Sequence, residues 1–157
     1  MTCILGIDPG ISGAMAFYFP AAPDRVSAED VPTVNGTISG ALLFDRIQQM
    51  KPDMAIIELV GAMPGQGVSS MFKFGRAFGT VIGIVQAAGI QLHFVTPGKW
   101  KRHFSLNADK ECARELAQRI FSKTPEHFSL KKHHGRAEAA LIALYAAQTI
   151  VTKQVAA

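Results

Sequence analysis

Cysteine is scarce. Cys3 and Cys112 are the only two in 157 residues, and they show no metal-ligand spacing, which excludes a thiolate metal site and predicts reduced, buried thiols. Long hydrophobic runs are also missing. None approaches the ~18 apolar residues of a membrane span, so no membrane role is expected. No basic n-region or cleavage site precedes the first strand pattern, which predicts a cytoplasmic protein. There is no internal repeat, and no polar stretch long enough to link two domains. Residues 1–157 are therefore expected to form a single domain.

Apolar residues make up 48% of the chain, enough for a full core and too many for disorder. The net charge of +4 is moderately basic and permits nucleic-acid binding. It is unevenly placed: Lys99, Lys101, Arg102, Lys110, Arg114, Arg119, Lys123, Lys131 and Lys132 cluster, with Arg136 just beyond. A solvated helix face is the ordinary explanation of such a run. Several of these residues fall in predicted loops or helix starts, where a phosphate backbone can use them.

Hydrophobic patterning predicts strands over 2–8, 13–19 and 25–33, joined as an antiparallel meander through the turn at Pro9-Gly10. A helix follows over 37–50 with Thr37 as N-cap, stopped by Pro52. Strand 54–60 leads into a glycine-rich loop. A long helix over 70–88 ends at Gly89, and the spacing of Gly75, Gly79 and Gly83 predicts close packing of that face. Strand 91–95, a short helix near Trp100, a helix over 108–121 capped by Asn107, and a last helix over 135–150 complete the order. The expected class is α/β, a mixed sheet with helices on both faces.

Two acids interrupt the most apolar strands. Asp8 ends "ILGID" and Glu58 lies in "AIIELV". A buried carboxylate costs several kcal/mol unless paired. One such acid suits an edge position or a salt bridge; two favour a shared site. A third, Glu138, sits near the start of the apolar helix "GRAEAALIALYAA", where the helix dipole alone would also favour it. His134 lies four residues earlier, on the same side if the helix begins there. Asp8, Glu58, Glu138 and His134 would form an oxygen-rich pocket for hard divalent cations. Two cations about 4 Å apart suit phosphodiester hydrolysis.

"GIDPGISGA", "IIELV", "TPGKWKRHF", "NADKECARELA" and "GRAEAALIA" occur in that order over nearly the whole chain. Together they resemble the RuvC-type Holliday-junction resolvases of the RNase H-like superfamily, in a phage-borne or divergent version. The resemblance implies an RNase H-like five-stranded mixed sheet and a homodimer that cuts four-way DNA junctions with Mg2+ or Mn2+, two per site, and without a nucleotide cofactor. It matches Asp8, Glu58 and Glu138 to the family's acids. The fourth ligand, often aspartate and sometimes histidine, falls among His134, His133 and Gly135, and helical phase selects His134. It matches Lys101 and Lys110 to basic residues that act on the scissile phosphate or position DNA, and implies DNA contacts for Lys99, Arg102, Lys131, Lys132 and Arg136. It puts helix 70–88 at the dimer interface, with Met71, Phe72, Phe74 and Phe78 shared between interface and core. It makes Met63 or Val68 a wedge into the junction.

Three other readings stay open. Actin-like or sugar-kinase phosphotransferases share the opening strand, aspartate and glycine turn, but need two such domains and a second phosphate loop. A non-catalytic junction-binding module is compatible with the absent fourth aspartate. A related nuclease acting on RNA or on other branched DNA shares the same acids.

Overall fold

A computed structural model describes residues 2–155. Its five-stranded sheet has the order Val26–Asp30, Ala14–Tyr18, Ile4–Asp8, Met54–Glu58, Gln91–Val95. Strands β1 (Ile4–Asp8), β2 (Ala14–Tyr18) and β3 (Val26–Asp30) form the expected antiparallel meander. Strands β6 (Met54–Glu58) and β7 (Gln91–Val95) run parallel to β1. The turn after β1 needs Gly10, whose φ of 123° lies where side chains are strained.

Both faces of the central strands are covered, so they read as continuous apolar runs rather than alternating ones. Leu5, Ile7, Met15, Phe17, Ala55 and Ile57 face α1 (Gly40–Met50) and α2 (Val68–Ala87). Ile4, Ala14, Ala16, Met54 and Ile56 face α3 (Pro97–His103), α4 (Lys110–Ile120) and α5 (His134–Ala146). A π-helical turn (Ala147–Val151) and α6 (Thr152–Val155) follow α5.

The central helix α5 is buried from Ala137 through Ala146. Its alanines allow an approach to β1 so close that a Cβ on Gly6 would stand 2.2 Å from the Ala139 carbonyl oxygen. The residue type at position 6 therefore sets the height of α5 above the sheet, and with it the height of every side chain on its first two turns.

Several local expectations change. Helix α1 starts at Gly40, and Ser39 caps it by accepting from the Leu42 N–H; Thr37 lies in a short hairpin, β4 (Thr33–Val34) and β5 (Thr37–Ile38), that patterning missed. Asp109 rather than Asn107 caps α4; the Asn107 side chain instead accepts from the Asp109 N–H. Among the described residues the Gly75–Gly79–Gly83 stripe packs against nothing: a Cβ on any of the three would meet open space. Helix α2 is, by length and composition, apolar enough to cross a membrane, contrary to expectation, with a mean hydropathy of 1.2. Lys73 and Arg76 interrupt it, and Ala77, Val81 and Val85 seat it on the sheet. Cys3 is buried as expected, but Cys112 is only half-buried; both are free.

Candidate active site

The register Ile7↔Ile57 places Asp8 and Glu58 side by side at the ends of adjacent parallel strands. Both side chains share the sheet face that carries Ile4, Met54 and Ile56, the face under α5. Because α5 begins at His134, Glu138 falls beyond the first turn, and the helix-dipole explanation of that acid lapses. Glu58 and Glu138 are 7% and 6% exposed, and charged side chains so deep need partners. The close seat of α5 on Gly6 brings its start down to the strand end: a Cβ on Gly135 would stand 3.3 Å from Asp8 Oδ2.

Electrostatics reports the same convergence. The Asp8 carboxyl is raised well above the usual carboxylate range, first by burial and then by the negative charges of Glu138 and Glu58; Lys110 and Lys101 oppose the shift. Glu58 is raised by burial, against the hydrogen bond it accepts from Trp100. The Trp100 indole N–H reaches Glu58 Oε2 at 2.6 Å, and Lys101 Nζ lies 3.7 Å from Glu138 Oε1. A cavity of about 400 Å³ opens beside Asp8, lined also by Gly10, Ser70, Lys73, Lys110 and His134.

The donor set, three carboxylates and an imidazole, suits a hard divalent cation. The repulsion that raises Asp8 is what such a cation relieves. His134 adds an orphan: its buried Nδ1 has no hydrogen-bond partner among the described residues. As the side chains stand, no three donors are in ligating geometry among the described residues. Trp100 holds Glu58 through one oxygen only, and Lys101 is paired with Glu138.

The other predicted residues fall in three places. His133 is buried away from the cavity, its Nδ1 accepting from the Leu130 N–H, and burial with nearby Arg136 lowers its pKa. Arg136 is committed to Asp30, with Nε–Oδ1 2.8 Å and Nη2–Oδ2 3.2 Å. Lys99, Arg102, Lys131 and Lys132 are exposed, and none of them lines the cavity. Met63 and Val68 are 64% and 85% exposed in the loop and helix start beyond Glu58, where Gly61 is exposed too. Phe72 is exposed, Met71 half-buried, and Phe74 stacks on Phe78.

Sequence reasoning missed Lys73 and the role of Trp100. Lys73 was legible as a cation breaking the apolar run "MFKFG", one helical turn after Ser70. Trp100 was legible only as the chain's single tryptophan, because its bond to Glu58 spans 42 positions.

A five-stranded mixed sheet with an antiparallel meander, helices on both faces and acids at the ends of the central strands defines the RNase H-like class of fold. No family model matches the chain, and no curated protein matches it. Solved structures do. RuvC of Thermus thermophilus in complex with a Holliday junction substrate superposes with a TM-score of 0.69 at 17% identity, covering 96% of this chain and 97% of that one. A second Thermus thermophilus RuvC structure gives 0.66 at 19% identity, covering 94% and 96%. The chain has the RuvC fold over nearly its full length.

Proposed function

We propose that this chain is a divalent-cation-dependent endonuclease that resolves four-way DNA junctions by paired symmetric nicks, acting as a homodimer of single nuclease domains in the cytoplasm. The observation that carries this reading is the convergence of Asp8, Glu58 and Glu138 under the start of α5, beside Lys101 and Lys110, within a RuvC fold.

Asp8, Glu58 and Glu138, with His134, would hold Mg2+ or Mn2+. Bound there, such cations supply an activated water and stabilise the leaving oxygen. The chain's own groups do the rest. Lys110 and Lys73 both line the cavity and neutralise the phosphodiester entering it. Lys101, released from Glu138, adds a third positive charge on the scissile phosphate. Lys99, Arg102, Lys131 and Lys132 contact flanking backbone; Arg136 is paired with Asp30 instead. The glycine stripe of α2, flanked by Phe72 and Val68, leaves room for a second copy of the same helix, and a two-fold pair would place two sites symmetrically on a two-fold junction. Met63 or Val68 is positioned to enter the junction centre.

The test is cleavage of a synthetic four-way junction beside duplex, flap and RNA–DNA hybrid substrates, with Mg2+ or Mn2+. Paired symmetric nicks in the junction, lost in Asp8→Asn and Glu138→Gln while junction binding persists, are expected. Cutting of the hybrid alone assigns a ribonuclease. Tight junction binding without cutting assigns a binding module.

A further inference from the structure

Trp100 is fully buried, yet its one polar atom is spent on the acid site: the indole N–H donates to Glu58 Oε2 at 2.6 Å. The same ring carries Lys101 Nζ over its face, 5.4 Å from the centroid, and that ammonium pairs with Glu138. One rigid side chain thus touches, directly or through one neighbour, acids on β6 and α5. No other hydrogen bond reaches the Glu58 carboxylate among the described residues, so Oε1 is left available.

We propose that Trp100 is a positioning residue of the metal centre: its N–H anchors one oxygen of Glu58 so that the other faces the cation, and its ring steers Lys101 between Glu138 and the substrate phosphate. The inference rests on the metal-dependent reading above. Its physical basis is general. Partners that fix the orientation of a ligating group commonly change metal affinity by about 10–100-fold when removed. A buried indole N–H needs a partner in any case, so packing alone would also explain the bond; the test must separate the two.

Trp100 is the chain's only tryptophan, so it reports on its own site. In the wild-type protein, paramagnetic Mn2+ should quench its fluorescence saturably. Trp100→Phe keeps a large ring and deletes the donor. Counted by electron paramagnetic resonance, Mn2+ should bind this variant about tenfold more weakly, and the Mn2+ concentration for half-maximal cleavage should rise by a similar factor. The kcat at saturating Mn2+ should fall much less. If Trp100→Phe does not fold, replacement of Trp100 by benzothienylalanine, which keeps the bicyclic shape and substitutes sulfur for the N–H, carries the same expectation. Equal Mn2+ affinity in wild type and variant overturns the positioning role and leaves the metal reading standing. Failure of Mn2+ to bind the wild-type protein, or to quench Trp100 on binding, removes a cation from beside Glu58 and the positioning role with it.

Discussion

Gly6→Ala is the smallest change that should disturb the whole site. The added methyl would lie 2.2 Å from the Ala139 carbonyl oxygen, 2.7 Å from the Ala143 nitrogen and 2.9 Å from the Ala143 Cβ. The first two obstacles are helix backbone, which cannot rotate aside, so α5 must rise from the sheet. Overpacking of this kind costs about 1–3 kcal/mol, and fixed obstacles put it at the upper end. Relief of the conformational entropy of a strand glycine offsets about 0.5–1 kcal/mol. The net loss is about 2–2.5 kcal/mol, a large part of a typical domain stability of about 5–15 kcal/mol.

For a chain of this size, that loss corresponds to a Tm lower by about 4–10 °C. Urea unfolding should show it as a midpoint lower by about 1 M at unchanged slope. Gly61→Ala is the control: a Cβ there meets nothing within 4 Å, so stability should stay within about 0.5 kcal/mol. Because Gly135 and Glu138 ride on α5, Gly6→Ala should also weaken divalent-cation binding. A Gly6→Ala protein that melts within 1 °C of wild type, or that loses stability yet binds Mn2+ normally, refutes the claim that this contact sets the height of the site.

Three further outcomes are expected. The metal-free protein should gain stability from Asp8→Asn at pH 7–8: Asp8's raised pKa gives a contribution present at low pH and lost as pH rises through the native value, so the gap between variant and wild type should close toward pH 4 in melts with chelator, and parallel curves would contradict the burial and repulsion at Asp8. In the proposed dimer, Gly79→Leu on the open stripe of α2 should leave the monomer fold intact but shift sedimentation toward monomer; unchanged sedimentation contradicts α2 as the interface. Lys110→Gln should weaken junction binding and flatten its salt dependence, whereas Arg136→Gln should mainly lower stability, since its guanidinium is engaged with Asp30; equal losses of binding would reverse that assignment.

By itself the sequence determined the elements and the acids. Apolar runs at 4–8, 14–18 and 54–58 are legible because strands buried on both faces need continuous apolar residues, and Asp8 and Glu58 stand out against them for the same reason. Helix starts were less legible: Thr37 and Asn107 are good caps by type, but Ser39 and Asp109 do the capping because the chain enters each helix two residues later. The glycine stripe of α2 declared a close approach without saying to what; among the described residues it is to nothing. Only the tertiary structure decided which acids have company. Parallel pairing set Asp8 beside Glu58, the contact between Gly6 and Ala139 lowered α5 onto them, and Trp100 and Lys101 came in from 42 and 37 positions away to hold Glu58 and Glu138. Such meetings depend on strand order and helix height, which arise from packing between distant segments and leave no periodic trace along the chain.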